Sequence, residues 1–204
     1  MYIEFLLEEP SAEHALRNLL PEVLGEEVQF RLHPHQGKPD LLSKLPGRLR
    51  GYQAWIPEDW YIVVLLDADD EDCINLKAEL ERIAYEVGLV TKSAVLPGTR
   101  FQVLNRIAVE ELEAWFFGDV EALREVYPRI SADLARRKNY RNPDTIPGGT
   151  WEALVRLLEY HNYEAPGKIS IAEQISRHMN PDLNRSHSFQ VFIRGLQEIM
   201  HEYA

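Results

Sequence analysis

The sequence predicts an α/β fold in which a parallel sheet is flanked by helices and followed by a helical C-terminal part. Apolar runs typical of strands alternate with segments of helical periodicity as far as residue 109. Residues 61–66 are apolar throughout, which is typical of a central parallel strand buried on both faces. After residue 109 strand patterns disappear. We therefore expect an α/β domain at 1–118 and a helical subdomain, packed on it, at 119–204.

Two strand–helix units open the chain, with strands expected at 2–7 and 28–32. The helix between these strands is expected to stop at Pro21, because proline removes a backbone hydrogen bond. The helix that begins at Lys38 is expected to be interrupted near 46–47, where Pro and Gly follow each other.

The third unit combines the apolar strand at 61–66 with a helix at 73–87. Apolar residues recur along this helix at steps of three and four, and Gly88 follows it as a typical C-terminal cap. Two further strands are predicted at 90–96 and 106–109. The turn between them is predicted at Pro97, Gly98 and Thr99.

Only helices are predicted from Glu110 onward. They are expected at 110–117, 120–127, 151–160, 169–178 and 189–203. The segment 139–150 is rich in Pro and Gly and is expected to be a connection.

Composition limits the class of protein. No apolar run approaches the roughly 20 residues of a membrane span, and the single cysteine, Cys73, excludes an internal disulfide. We expect a cytoplasmic protein that does not interact with membranes. The sequence contains neither GxGxxG nor GxxxxGK[ST], so we expect no dinucleotide binding and no P-loop ATPase within this chain.

The net charge of −11 argues against a nucleic-acid ligand, but the charge is unevenly distributed. Residues 1–127 carry the acidic excess, whereas 128–204 are close to neutral and contain a basic run at 129–141. This run could contact phosphates; the alternative is a solvated basic loop.

Carboxylates follow two predicted strands at the point where each strand ends. Glu8 follows the first strand, and Asp67 and Asp69 follow the strand at 61–66. Ligands of parallel sheets bind beyond the carboxyl ends of the strands. Asp67 and Asp69 are two residues apart, and in extended backbone this spacing places both side chains on the same side of the strand. Carboxylate oxygens suit Mg²⁺ or Mn²⁺, which commonly act on phosphate esters. The sequence therefore predicts a divalent-metal site at this edge.

A third acidic group, Glu110, Glu111 and Glu113, follows the last predicted strand. If a helix begins near Glu110, then Glu110 and Glu113 share a face, and Glu113 could help to hold a second metal. For Asp67, directly after the buried run, a site is favoured, whereas the other acids have an alternative interpretation. Asp69 and Asp70 could cap the following helix, Glu8 could be an exposed turn residue, and the three later glutamates could be surface charges.

Two basic residues are candidates for phosphate binding. Lys38 is expected at a helix N-terminus, and Arg185 lies in a serine-rich turn before the last helix. The alternatives are a solvated lysine and an arginine that stabilises the turn. His33 and His35 could face the same edge, but imidazole is not a ligand that Mg²⁺ prefers.

The motifs resemble a known pattern. LEEPS at 7–11 followed by LDAD at 66–69 resembles Toprim domains, in which an early Glu precedes a DxD at the end of an apolar strand. With RIAVEELEAW at 106–115 and NRSHSF at 184–189, the chain resembles an uncharacterised prokaryotic domain-of-unknown-function family with a Toprim-like core. That family is similar to the Toprim half of OLD-type (overcoming lysogenization defect) nucleases, often encoded beside an ABC-like ATPase in phage-defence loci.

The resemblance implies a Toprim-like (Rossmann-like) fold and a nuclease that depends on Mg²⁺ or Mn²⁺ and acts on DNA or RNA. It implies that Asp67 and Asp69 hold the metal and that Glu8 is a ligand or general acid/base. It also implies a nucleic-acid substrate and an ATPase partner in a phage-defence system.

Two alternatives remain open. The Toprim Glu is commonly followed by Gly, where this chain has Glu9. A catalytically silent subunit that binds an ATPase or nucleic acid is therefore the first alternative. The second is a phosphotransferase or phosphatase with an aspartate nucleophile, because doubly wound folds also support that chemistry.

Overall fold

The computed structural model describes residues 1–96 and 99–203. Its four strands form one sheet in which every pairing is parallel and the order is β2-β1-β3-β4. The strands are β1 (Tyr2–Leu7), β2 (Gln29–Pro34), β3 (Trp60–Asp67) and β4 (Val103–Ala108). The predicted α/β class, with a parallel sheet flanked by helices, is confirmed.

The helices account for most of the remaining chain. Three connect the strands: α1 (Pro10–Leu24), α2 (Lys38–Gln53) and α3 (Cys73–Glu86). Five follow the sheet: α4 (Glu113–Gly118), α5 (Val120–Val126), α6 (Thr150–Tyr160), α7 (Lys168–Ser176) and α8 (His187–Tyr203). In the described part of the chain, none of them is both long enough and apolar enough to cross a membrane.

The central strands β1 and β3 are buried on both faces because their successive side chains enter different cores, whereas the edge strand β2 is partly exposed. Leu6 and Val64 pack with α2 and α3 in one core. Phe5 and Val63 pack in the other, which contains α1 and side chains from α4 to α8. This second core contains residues from both sides of the domain boundary expected between 118 and 119. The division into an α/β domain and a helical subdomain remains a prediction.

Two prolines do not end their helices as predicted. Pro21 lies inside α1 and Pro46 inside α2, and both helices continue beyond them. Each helix has a buried leucine after its proline, Leu24 in α1 and Leu49 in α2. Because burial of a leucine side chain contributes about 1.5–3 kcal/mol, tertiary packing offsets much of the local proline penalty.

The strand predicted at 90–96 does not form in the described residues. Thr91 makes a single bridge to Val103, and the chain then turns. Val90 and Leu96 are exposed, so the apolar pattern there does not mark a buried strand. The last strand is instead β4, which begins before the predicted range. Pro97 and Gly98, predicted as a turn, lie outside the described residues.

The strand register brings the acidic segments to one edge of the sheet. Leu7 of β1 aligns with Leu65 of β3, and Asp67 of β3 aligns with Ala108 of β4. The residues that follow β1, β3 and β4 therefore meet beyond the carboxyl ends of the strands, where open parallel sheets bind ligands.

Candidate functional site

Glu8 and Asp67 are joined at this edge. The backbone N–H of Asp67 donates a hydrogen bond of 2.9 Å to Glu8 Oε2, so the first residue after β1 is fixed to the last residue of β3. Both side chains belong to the set predicted from the sequence, and the structure brings them together. Glu8 is therefore a partly buried, hydrogen-bonded residue and not an exposed turn acid.

The Asp67 side chain lies in an acidic and dehydrated environment. Burial raises the pKa of its carboxyl group well above the ordinary value, and the nearby charges of Glu8, Glu113 and Glu9 raise it further. Burial also raises the pKa of Glu8, and the charge of Asp69 adds to that effect. A buried and a partly buried carboxyl group that repel each other favour either a shared proton or a bound cation.

Glu113, the first residue of α4, is fully buried. Neither of its carboxylate oxygens has a hydrogen-bond partner among the described residues. Burial raises the pKa of Glu113 to about 7, although the charge of Lys168 acts in the opposite direction. A buried carboxylate without partners is costly, and this cost is reduced when the group keeps a proton or binds a cation.

Lys168, the first residue of α7, supplies a positive charge to this acidic group. Its Nζ lies 3.0 Å from Glu111 Oε1, 3.7 Å from Glu9 Oε1 and 4.0 Å from Glu113 Oε2. Burial lowers the pKa of Lys168, but the carboxylates more than offset this effect and the net pKa is raised. The sequence analysis missed Lys168, because nothing in the flanking residues marks it.

Glu111 and Glu9 have defined structural partners. Glu111 Oε2 accepts hydrogen bonds from Thr150 Oγ1 at 3.1 Å and from the Trp151 N–H at 2.7 Å, and so caps the start of α6. Glu9 Oε1 accepts a hydrogen bond from Ser11 Oγ at 2.7 Å. Glu9 has extended backbone angles, which any residue adopts, so the absence of glycine there does not strain the chain.

Glu110 and Glu113 do not share a helix face, contrary to the expectation. Glu110 has a φ of 59° and precedes α4, whose first residue is Glu113. The Glu110 carbonyl instead accepts a 2.6 Å hydrogen bond from the Asp69 N–H. An open, polar cleft of about 460 Å³ lies beside this contact. Its lining residues are Asp69, Asp70, Glu110, Glu111, Gly148, Gly149 and Glu152.

Asp69 does not have the extended backbone that the prediction assumed for it. β3 ends at Asp67, and Asp69 has a φ of 50°, so the side alternation of extended backbone does not apply. The Asp69 carboxylate is half-exposed and lies 2.8 Å from Lys38 Nζ. The cap of α3 is Asp72, which accepts from the N–H groups of Ile74 and Asn75; the capping interpretation of Asp69 and Asp70 was therefore wrong.

The Lys38 ammonium group is engaged by the protein itself. It donates to Ala68 O at 3.0 Å and to Glu71 Oε1 at 2.7 Å, in addition to its contact with Asp69. The side chain is buried. Phosphate binding by Lys38, as predicted, would therefore require the ammonium to leave at least one of these acids.

Arg185 is hydrogen-bonded to the backbone of two other segments. Its guanidinium donates to Phe117 O and Arg141 O, both at 3.1 Å, and so connects α4 to the turn before α8. The two histidines also have local partners. His33 pairs with Glu4, and His35 Nδ1 lies 2.9 Å from Leu7 O. The described contacts of these three residues do not include Glu8, Asp67 or Glu113.

The donor set fits a hard divalent cation in its chemistry. Glu8, Asp67 and Glu113 supply oxygen atoms only, and the two unpartnered oxygens of Glu113 are free to coordinate. Within residues 1–96 and 99–203, no group of three or more His, Cys, Asp or Glu side chains is already arranged to hold a metal ion. Binding therefore requires side-chain rotation, and Asp69 can join only by leaving Lys38.

Glu113 makes the stability of the metal-free protein depend on pH. The pKa of about 7 in the folded state lies above the ordinary 4.5, so the folded protein retains a proton that the unfolded chain releases. The resulting stabilisation is complete below pH 4.5 and is lost as the pH rises through 7. We expect wild type to lose about 3 kcal/mol of unfolding free energy relative to Glu113→Gln over this range.

Urea denaturation of both proteins in EDTA at pH 4.5 and pH 8 measures this difference. Mn²⁺ at pH 8 is expected to stabilise wild type more than Glu113→Gln, because only the carboxylate is a good ligand. A difference between the two proteins that does not change with pH would contradict the assignment of a proton to Glu113.

Comparison with protein families agrees with the membership expected from the motifs. The family described as "Domain of unknown function (DUF4276)" matches residues 7–197, from the last residue of β1 through β2, β3 and β4 and into α8. No curated protein and no solved structure gives a significant match. Because the match covers most of the chain, the protein belongs to the DUF4276 family.

Proposed function

We propose that this protein is a divalent-metal-dependent phosphodiesterase of the Toprim type, a nuclease that acts on DNA or RNA. The observation that supports it best is the meeting of Glu8, Asp67 and Glu113 at the carboxyl edge of a parallel sheet. Burial raises the pKa of all three, and repulsion by nearby acids raises each of them further; Glu113 has no described hydrogen-bond partner. A bound divalent cation would offset both costs.

In this proposal Glu8, Asp67 and Glu113 hold Mg²⁺ or Mn²⁺, and Asp69 joins them after leaving Lys38. The metal supplies Lewis-acid stabilisation of charge on a phosphodiester. If Glu8 does not bind the metal, it is instead suited to act as the general acid/base, because its raised pKa brings the carboxyl group closer to neutral pH. The Asp67 N–H holds Glu8 in place for that role.

The nucleic-acid substrate is inferred from the resemblance to Toprim enzymes and from the charge of the C-terminal part. Arg136, Arg137, Lys138 and Arg141 are exposed in the segment before α6. The same segment leads to Gly148 and Gly149, which line the acidic cleft beside Asp69. We propose that these basic side chains contact the phosphate backbone while the scissile phosphate enters the cleft.

Incubation of the purified protein with labelled plasmid, single-stranded DNA and RNA tests the proposal. We expect cleavage of at least one substrate in Mg²⁺ or Mn²⁺ and none in EDTA, because the carboxylates alone would repel a phosphodiester. Cleavage that persists unchanged in EDTA would contradict the metal assignment. The variants that locate the site on Asp67 are described in the Discussion.

A catalytically silent binding subunit is the second candidate, and the Lys38 contacts favour it. Asp69 and Glu71 neutralise Lys38 in this conformation, which leaves one carboxylate of the DxD pair bound to a protein cation. In this case the protein binds an ATPase or nucleic acid without turnover. The chain has no P-loop motif, so in either candidate an ABC-like ATPase would be a separate protein. Absence of cleavage together with retained Mn²⁺ binding favours this candidate.

A further inference from the structure

The Lys168 ammonium is held inside the carboxylate group by the fold. α7 packs against α1 and α4, the helices that follow Glu8 and begin at Glu113. Lys168 Nζ consequently lies within 4.0 Å of Glu9, Glu111 and Glu113, which come from two separate parts of the chain. It also lies 5.7 Å from the centre of the Trp151 ring. The lysine is therefore part of the site and not a solvated surface residue.

The carboxylates around Lys168 do not depend on it for their positions. Glu111 is held by Thr150 Oγ1 and the Trp151 N–H at the start of α6, and Glu9 is held by Ser11 Oγ. Glu113 is fully enclosed at the start of α4. Removal of the ammonium would thus leave three neighbouring carboxylates, one of which has two oxygens without a hydrogen bond in the described chain.

Glu113 connects this group to the proposed metal site. Its charge raises the pKa of Asp67, and its Oε2 lies 4.0 Å from Lys168 Nζ. The acids therefore form two adjacent groups, Glu8 with Asp67 and Glu9 with Glu111, and Glu113 lies next to both. Only the second group has a protein cation at contact distance among the described residues. A fixed ammonium there would repel a divalent ion.

We propose that the Lys168 ammonium takes the place of a second divalent ion, so that the site binds one metal ion per chain. The inference rests on the proposed function, because it assumes that Glu8 and Asp67 bind a metal. Lys168 then occupies the place where Glu9, Glu111 and Glu113 would together bind a second ion, and it leaves Glu113 able to bind the first ion with Glu8 and Asp67. It also keeps a permanent positive charge beside the proposed phosphate site. In a nuclease with two bound metals, the second ion supplies this charge.

Counting the Mn²⁺ ions bound by wild type, Lys168→Met and Lys168→Arg tests the inference. Methionine has a similar length and can remain packed on Trp151, whereas arginine keeps the positive charge. Free Mn²⁺ is measured by electron paramagnetic resonance during a titration of each protein at pH 8. We expect one bound ion for wild type, two for Lys168→Met and one for Lys168→Arg.

The outcomes separate this inference from the function on which it rests. Two ions bound by wild type, or one bound by a folded Lys168→Met protein, would overturn the inference and leave the metal-dependent function standing. No Mn²⁺ bound by wild type would overturn both. If Lys168→Met does not fold, the other two proteins still test the inference. Two Mn²⁺ ions bound by wild type or by Lys168→Arg would contradict it.

Discussion

Replacement of Asp67 by asparagine is expected to reduce metal-dependent cleavage of nucleic acid by about 10³-fold while the protein stays folded. Asparagine has the same shape, but it lacks the negative charge that attracts the cation. The fold should tolerate the change, because burial and the neighbouring acids already disfavour the charged form of Asp67. Initial rates in Mn²⁺ and thermal unfolding in EDTA measure the two parts of this prediction.

Asp182→Asn is the matched control. Asp182 is an exposed aspartate in the connection before α8, and its substitution changes the net charge by the same amount. We expect its cleavage rate to equal that of wild type. If Asp67→Asn keeps more than about a tenth of the wild-type rate, Asp67 is not a ligand whose charge matters to the reaction.

Replacement of Asp144 by alanine is expected to lower the unfolding free energy by about 4 kcal/mol. The buried Asp144 carboxylate accepts hydrogen bonds from Ser186 Oγ at 2.7 Å, Ser188 Oγ at 2.9 Å and the His187 N–H at 2.6 Å. Ser188 Oγ in turn accepts a hydrogen bond from Trp115 Nε1 at 3.0 Å. Asp144 therefore fixes the start of α8 to α4, the helix that carries Glu113.

Urea denaturation of Asp144→Ala and of Asp133→Ala measures this effect. Asp133 is an exposed acid in the 3-10 turn Ala132–Arg136, and its loss is expected to change stability by no more than about 0.5 kcal/mol. A decrease below about 1 kcal/mol for Asp144→Ala would mean that water or other groups replace its hydrogen bonds.

The parts of the fold with strong periodic patterns were predictable from the sequence. β3 is an unbroken apolar run, and α3 repeats apolar residues at helical spacing, so local pattern and tertiary burial agree. The predictions are wrong where local sequence pattern and tertiary burial disagree. Pro21 and Pro46 favour helix ends, but Leu24 and Leu49 are buried beyond them. The segment 90–96 has an apolar pattern, yet in the described residues it forms a single bridge, between Thr91 and Val103, and not a strand.

The candidate site was predictable only where it follows strand ends. Glu8 and Asp67 could be paired because parallel strands place their carboxyl ends at one edge. The contact between Asp69 and Lys38 depends on a left-handed backbone at Asp69, for which the residue types there give no clear pattern. Lys168 lies far along the chain from Glu9, Glu111 and Glu113, and only the packing of α7 brings it to them.

Anomalous diffraction from crystals grown with Mn²⁺ tests the central claim most directly. The account predicts an anomalous peak within bonding distance of Asp67 and Glu113 carboxylate oxygens, with Glu8 as a further ligand. It also predicts that the peak is absent from crystals of Asp67→Asn. A wild-type structure in saturating Mn²⁺ with no peak at these side chains, or with peaks only at surface acids, would contradict the claim that this edge of the sheet is a metal site.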